Sequence, residues 1–238
     1  YIFGILLAWR YMIWLAKRSP AGIKKEHVDD FVVWATLGIV LGGRLGYVIF
    51  YKAGYYLENP LEALAVWQGG MSFHGGLLGV IFAVWLFCRR RGYSWIAVGD
   101  IVACSAPVGL LLGRIANFIN GELYGRVTDS PLGMVFPGGG PLPRHPSQLY
   151  EAVLEGLVLF LVLLWLARRP GSFEKRGLLS GVFLAGYAIG RATAEFFRQP
   201  DAHIGFLTIG TTMGQWLSLP LFIVGVWLIF RALRHERA

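Results

Sequence analysis

The chain alternates between long runs of apolar residues and short polar connections. Three clear runs are LLGVIFAVWLFC, AVLEGLVLFLVLLWLA and SLPLFIVGVWLIF. Such runs approach the roughly 20 residues that a helix needs to cross a hydrocarbon core about 30 Å thick. Hydropathy and length predict about seven membrane spans, and hence an all-α, polytopic integral membrane protein with one domain over residues 1–238. The spans are expected at about 1–16, 31–51, 73–90, 97–119, 147–167, 177–198 and 212–232.

Positive charge falls in alternate loops. Lysines and arginines cluster after the first, third, fifth and seventh spans, whereas the loops at about 52–72, 120–146 and 199–211 hold few of them. Because short Lys/Arg-rich loops stay on the cytoplasmic side, we expect the N-terminus outside and the C-terminus inside. The loop at about 120–146 is rich in Gly and Pro and is predicted to form a small cap on the outer face.

Composition supports a membrane protein and argues against other classes. Hydrophobic residues make up 55% of the chain and charged residues only 15%, which is atypical of a soluble domain. The net charge of +8 is spread over separate loops, so it favours anionic lipid surfaces over nucleic acid. Cys88 and Cys104 lie in apolar runs without metal-ligand spacing, so no metal site is expected.

The start of the chain gives two further expectations. Because Tyr1 is not a methionine, we expect a short N-terminal piece to be missing. A secretory signal peptide is not expected, because the positive charges at residues 17–25 follow the first apolar run, whereas a signal peptide carries its charges before the apolar stretch.

Several arginines fall inside or at the edge of predicted spans. They are Arg10, Arg44, Arg114, Arg191 and Arg198. An arginine at the centre of a span costs on the order of 2.5–3.5 kcal/mol, so it normally faces a cavity, a partner or a ligand. Arg44, Arg114 and Arg191 each follow a glycine in the outer part of a span, and we hypothesise that they surround one anion site.

The alternative is that each arginine extends to the outer interface or contacts the carbonyl end of its own helix. We interpret Arg198, which lies near the end of its span, in this way.

Polar neighbours strengthen the case for a site. Asn117 lies three residues after Arg114, and Glu195 lies four after Arg191, so each pair shares a helix face and Arg191 can pair with Glu195. Such a buried pair can also be purely structural.

His74 opens the third span within MSFHGGLLG and can exchange a proton near neutral pH, although it can equally be a satisfied interfacial histidine. His145 and Glu151, in RHPSQLYEA, are interpreted mainly as scaffold.

Five stretches together resemble the bacterial prolipoprotein diacylglyceryl transferases. They are GGRLGYVIFY, GGMSFHGGLLG, GRIANFINGELYGR, RHPSQLYE and GRATAEFFRQPD, spread over residues 42–201. GRIANFINGELYGR is the most specific of them. The resemblance implies transfer of a diacylglyceryl group from phosphatidylglycerol to the lipobox cysteine of a preprolipoprotein, with release of glycerol-1-phosphate.

The resemblance also implies roles for particular residues. His74, Arg114 and Arg191 correspond to the residues regarded as central in the family. Further matches are Asn117, Glu122, Gly125 and Glu195, expected with Arg114 and Arg191 to contact the phospholipid. Arg44 is expected as a third arginine contact on the ground of its charge and depth alone. In one departure, Ile2-Phe3-Gly4 stands where the family usually has Trp-Tyr-Gly; either the tyrosine hydroxyl is dispensable here or the truncated start displaces the alignment.

The implied reaction needs a thiolate and a stabilised phosphate leaving group. Arginine suits the second task because its planar fork donates two parallel hydrogen bonds to phosphate. His74 either removes the thiol proton or binds the lipid headgroup while the arginines lower the thiol pKa.

No cofactor, metal or nucleic acid is expected, and the enzyme is expected to act as a monomer in the bacterial inner membrane with its site near the periplasmic face. The alternative function is transport of an anionic solute past the three arginines, for which the sequence offers no inverted repeat or polar inner segment.

Overall fold

The structure, a computed structural model, describes residues 2–199 and 210–234. Within them no strand forms, which confirms the all-α prediction. The helices are α1 (Ile2–Ala16), α2 (Lys25–Tyr51), α3 (Ala53–Glu58), α4 (Phe73–Arg91), α5 (Trp95–Ile119), α6 (Ser147–Glu151), α7 (Leu159–Arg168), α8 (Leu178–Ala194) and α9 (Met213–Arg234). Two 3₁₀ turns, Pro60–Leu64 and Val66–Gln68, follow α3, and a π-helix, Ala152–Val158, joins α6 to α7.

The chain divides into two compact units. Unit 1 comprises residues 1–20 and 99–238, and unit 2 comprises residues 21–98.

Helices occupy each region in which the sequence predicts a span, but they differ in length. By length and composition, four stretches in the described residues can cross a membrane: Lys25–Phe50, Trp95–Ile119, Ser147–Arg168 and Met213–Arg234. Helices α1 and α8 are apolar but shorter, with 15 and 17 residues. Helix α8 ends at Ala194, four residues before the end of the predicted span. By length and composition these helices fit a membrane protein, while the number of seven spans and their orientation stay predictions.

In unit 2, helices α2 and α4 pack backbone against backbone through glycines. Gly38, Gly42 and Gly46 follow one another at four-residue spacing on α2 and face Gly75 and Gly79 on α4. A Cβ atom on Gly46 would lie 2.7 Å from the Cα of Gly75, which is too close for any side chain. Small residues at this spacing let two membrane helices approach closely.

In unit 1, a buried aspartate from α5 holds the first turn of α8. One carboxylate oxygen of Asp100 accepts a 2.7 Å hydrogen bond from the Gly177 N–H, and the other accepts 2.8 Å bonds from the N–H and the hydroxyl of Ser180. These bonds satisfy N–H groups that the helix itself leaves unpaired, and the carboxylate favours the positive end of the helix dipole.

Contacts along the helices fix their directions within unit 1. Gly181 of α8 packs on Gly225 of α9, and Glu195, just after α8, packs on Gly214 near the start of α9, so α8 and α9 are antiparallel. In α1, Gly4 contacts Leu112 near the end of α5, and Tyr11 contacts Phe160 near the start of α7, with ring centroids 5.4 Å apart. Helices α1, α7 and α9 therefore finish at the end of unit 1 where α8 begins.

The loop at residues 120–146 is irregular but hydrogen-bonded. Isolated bridges pair Gly125 with Arg198, and Arg144 with both Val127 and Met134. The loop therefore attaches to the segment that follows α8. Its assignment as an outer cap stays a prediction, as does the single domain over residues 1–238.

Substituting Gly79 with alanine should destabilise unit 2, because the added methyl group would collide with the carbonyl of Gly38. Overpacking of this kind costs about 1–3 kcal/mol. Gly109→Ala in α5 is the control, because an added Cβ meets nothing within 4 Å there. Thermal unfolding of the purified protein in detergent should give a lower Tm for Gly79→Ala alone; equal melting of both variants would contradict the close packing.

Candidate active site

Three arginines and three glutamates meet in unit 1, where α5 and α8 end and α6 begins. We call them the arginine–glutamate cluster; its members are Arg114, Glu151, Glu155, Arg191, Glu195 and Arg198. They come from α5, from α6 and the π-helix, and from α8 and the turn after it. Three separate parts of the chain therefore converge on one group of charges.

Glu151 lies at the centre of this cluster. Its Oε2 atom lies 2.7 Å from Nε of Arg114, while its Oε1 atom accepts hydrogen bonds from Nη1 of Arg191 at 2.9 Å and Nη1 of Arg198 at 3.3 Å. Its side chain is 1% exposed. One buried carboxylate thus binds all three guanidinium groups.

The other two carboxylates border the same arginines. Glu195 forms an ion pair with Arg191 one helical turn earlier. Glu155 is fully buried, and its oxygens lie 3.9 Å from Nη2 of Arg114 and from Nη1 of Arg191. Glu155 lies in the π-helix, a widened helical turn that is frequent at functional sites.

The positive groups lie on the more accessible side of the cluster. The three arginine side chains are 12–18% exposed, whereas the three glutamate side chains are 0–4% exposed. The close pairing of Glu151 and Glu195 with the arginines offsets the cost of burying these charges. An approaching anion therefore meets guanidinium groups first, with the carboxylates behind them.

The loop after α5 fixes the end of α8 next to this cluster. Arg126 donates from Nε to the carbonyl of Arg198 at 2.9 Å and from Nη2 to the carbonyl of Glu195 at 3.0 Å. Gly125 pairs with Arg198, and a Cβ atom there would lie 2.7 Å from the carbonyl oxygen of His145. The close approach of these backbones requires a glycine at position 125.

Asn117 and Glu122 contact each other beside the cluster. The exposed Glu122 carboxylate accepts hydrogen bonds from Asn117 at 2.8 Å and from Asn120 at 3.2 Å. These two bonds, that from Asn117 most strongly, lower the pKa of Glu122. The backbone carbonyl of Glu122 also accepts a 2.6 Å bond from the buried Gln148. The turn after α5 is thus tied to the start of α6.

The structure brings together only part of the predicted site. Arg114, Arg191 and Glu195 meet as expected from their types and spacing. Arg198, interpreted as an interfacial arginine, instead contacts Glu151. Glu151, interpreted mainly as scaffold, is the shared partner of the arginines.

Arg44 and His74 belong to unit 2. The Arg44 side chain donates to the backbone carbonyls of Glu62, Ala63, Gly69 and Gly70 and to the Tyr56 hydroxyl. Arg44 is buried and holds the segment between α2 and α4, which is a structural role; contact with phospholipid stays a prediction for it.

Two other positions named in the sequence analysis, His74 and Phe3, lie outside the cluster or its described side chains. His74 lies in the first turn of α4, and its side chain is outside the described part of the structure. Phe3, which stands where the family usually has a tyrosine, is 65% exposed in α1.

Two residues of this region escaped the sequence analysis. Glu155 interrupts the apolar run AVLEGLVLF, and the cost of a charge within a span, which identified the arginines, applies equally to it. Arg126 gave no signal, because an arginine in a polar loop is ordinary and the carbonyls it binds are not visible in a sequence.

Comparison with known proteins identifies the family of the chain. Residues 1–231 match the family model described as prolipoprotein diacylglyceryl transferase. The chain is 63% identical over 236 residues to the phosphatidylglycerol–prolipoprotein diacylglyceryl transferase of Paramagnetospirillum magneticum, covering 99% of this chain and 88% of the relative. Proteins of the same name from Rhodospirillum rubrum (59% over 239 residues; 100% and 87% covered) and Azospirillum brasilense (54% over 241; 100% and 90%) are also similar.

Neutralising Glu151 should disrupt the cluster. Glu151→Gln leaves three arginines facing two carboxylates, and breaking a buried pair in this way costs about 3–5 kcal/mol. Asp30→Asn is the control, because the ion pair of Asp30 with Arg91 is over 40% exposed at both side chains and is worth at most about 1 kcal/mol. In detergent, the loss in free energy of unfolding should be several times larger for Glu151→Gln than for Asp30→Asn. Similar losses in the two variants would contradict a central role of Glu151.

Proposed function

Because the chain belongs to the prolipoprotein diacylglyceryl transferase family, we propose that its arginine–glutamate cluster is the catalytic centre of that reaction. The chain is a transferase that moves a diacylglyceryl group from phosphatidylglycerol to a prolipoprotein, the first step of lipoprotein maturation. The observation that supports the site most directly is the convergence of Arg114, Arg191 and Arg198 on the buried Glu151.

In this reaction a cysteine thiolate attacks the carbon of the diacylglyceryl group that is bonded to the phosphate oxygen. A C–S bond forms, the C–O bond to the phosphate breaks, and glycerol-1-phosphate leaves with the bonding electron pair. The leaving phosphate gains negative charge as the bond breaks. Preorganised cations at this position stabilise the transition state more than the bound lipid, and such interactions accelerate the chemical step.

Arg114 and Arg191 are the proposed phosphate ligands. Each guanidinium is oriented from behind by Glu151, and each remains partly exposed. A guanidinium held in this way loses little conformational freedom when it binds phosphate through two parallel hydrogen bonds. Glu195 and Glu155 act in this proposal as positioning residues, because they contact the arginines from the buried side.

Asn117, Glu122 and Gly125 are proposed to shape the lipid site. Asn117 and Glu122 form a hydrogen-bonded pair close to Arg114 in sequence, with polar groups suited to a glycerol headgroup. Gly125 contributes by allowing the close backbone contact that holds the turn after α8.

His74 is proposed to accept the thiol proton. A free thiol is only a few per cent ionised at pH 7, so a base is required unless the surrounding cations lower its pKa. The carboxylates of the cluster are poor candidates, because Glu151 and Glu195 form close ion pairs with arginines and Glu155 is fully buried. An imidazole exchanges a proton in the neutral range.

The two substrates determine where in the membrane the reaction is proposed to occur. The enzyme is proposed to act as a monomer in the inner membrane with the cluster near the periplasmic face, where the lipobox cysteine of an exported preprolipoprotein is accessible. A two-chain lipid enters such a site sideways from the bilayer.

Mixing the purified protein with phosphatidylglycerol and a lipobox peptide should yield a diacylglyceryl thioether on the peptide cysteine. Mass spectrometry detects the adduct and the released glycerol-1-phosphate. A Cys→Ser peptide is the control and should remain unmodified, because the reaction needs a thiolate. Equal modification of both peptides would overturn the proposed chemistry.

Replacing Arg114 or Arg191 with lysine should lower turnover at least about 100-fold, because lysine keeps the charge but loses the planar fork. Arg168→Lys is the matched control, since Arg168 ends α7 at the opposite end of unit 1. Initial rates of adduct formation measure the effect. Rates like those of the control variant would assign Arg114 and Arg191 a structural role only.

A further inference from the structure

The sequence W-L-x-x-R occurs four times in the chain. Its copies are WLAKR at 14–18, WLFCR at 85–89, WLARR at 165–169 and WLIFR at 227–231. Each copy lies at or just past the C-terminal turn of a helix, in order α1, α4, α7 and α9. No role in the arginine–glutamate cluster accounts for this recurrence.

In every copy the arginine lies over the ring of its tryptophan. The guanidinium carbon is 3.7 Å from the ring centroid for Arg18, 5.4 Å for Arg89, 3.6 Å for Arg169 and 5.5 Å for Arg231. In α4 and α9 the spacing of four residues places the two side chains on one helix face, whereas Arg18 and Arg169 lie just past the ends of α1 and α7. In both situations the cation is attracted to the face of the indole. The repeated sequence therefore produces a repeated pair of side chains.

Three of the four pairs lie at one end of unit 1. Helices α1, α7 and α9 all finish where α8 begins, at the far end from the arginine–glutamate cluster. Positive-charge distribution predicts that the loops after all four helices share one side of the membrane. Trp165 and Trp227 are 54% and 57% exposed, as expected of rings at a membrane interface, whereas Trp14 is half-buried and stacks on Tyr11.

Stacking prepares an arginine to bind phosphate. At the 3.6–3.7 Å of Arg169 and Arg18, the guanidinium meets the ring with its flat face, which leaves the N–H groups at its edge to donate hydrogen bonds. The ring also limits the rotamers of a long side chain, so less conformational entropy is lost on binding. The indole itself suits the boundary between headgroups and acyl chains.

We propose that the W-L-x-x-R segments are binding sites for the headgroup phosphates of anionic phospholipids. The occupants are lipids of the leaflet at which these four helices end, away from the lipid that the enzyme consumes. Charge complementarity favours an anionic lipid over a zwitterionic one, because each segment adds net positive charge at the interface. The sites hold this end of the protein at the level of the headgroups and thereby set the depth of unit 1 in the bilayer.

The test compares lipid retention by the full-length purified protein in nanodiscs of phosphatidylcholine and phosphatidylserine. Phosphatidylserine is anionic and is not the lipid that the family consumes. Both variants keep the arginine–glutamate cluster, so any phosphatidylserine bound there contributes equally to the two measurements. One variant carries Arg18→Gln, Arg169→Gln and Arg231→Gln. Its matched control carries Lys17→Gln, Arg168→Gln and Arg234→Gln, which removes three positive charges from the same three helix ends.

The control variant should lose only general attraction to the anionic surface, about fivefold in affinity per charge. The variant that lacks Arg18, Arg169 and Arg231 should lose affinity by a further factor of about two to five per site. Native mass spectrometry measures this loss as the amount of phosphatidylserine retained. Retained phosphatidylcholine should not change in either variant. Equal losses in the two variants would overturn the proposal, since the stacked arginines would then act as ordinary charges.

A second comparison removes the ring and keeps the charge. Trp165→Leu with Trp227→Leu should lower phosphatidylserine retention although every arginine remains. Leu161→Ala with Leu219→Ala is the control, because these exposed apolar residues lie away from the arginines on the same two helices. Unchanged retention in the tryptophan variant, or the same loss in both, would overturn the proposal.

Discussion

Neutralisation of buried charge is the constraint on which the arrangement of unit 1 depends. Glu151, Glu155 and Glu195 are almost completely shielded from solvent, and a carboxylate in such a position is costly to bury without a cation near it. Arg114 and Arg191 supply those cations from α5 and α8. The helices must therefore meet at this end in a fixed register, so the interaction that makes the charges tolerable also builds the site.

Helix α8 is held firmly at both ends. Asp100 caps its first turn, while Arg126 binds the carbonyls of the turn that follows its last residue. The catalytic arginine proposed on α8 thus stands on an element that can neither slide nor unwind easily. Rigid support of this kind keeps a functional side chain near the geometry that its chemistry requires.

The sequence predicted the helices and part of the site for one physical reason. Long apolar runs predict membrane helices, and a charge within such a run is costly unless it has a partner. Arg114, Arg191 and their neighbour Glu195 could therefore be identified as candidate site residues without a structure. Contacts that end on backbone carbonyls could not, because every residue carries a carbonyl. The bonds of Arg126 and Arg44 belong to this second class.

The way in which Arg44 holds its segment has a consequence for substitutions there. Four of its five acceptors are main-chain oxygens between residues 62 and 70, and only Tyr56 contributes a side chain. Because these acceptors are main-chain oxygens, a replacement that keeps the backbone path also keeps them. Gly69 and Gly70 are exceptions, because both have a positive φ and a Cβ atom on Gly70 would lie 2.4 Å from the Tyr47 ring. The path of this segment thus depends on the single arginine inside it and on these two glycines, and not on the other side chains that Arg44 passes.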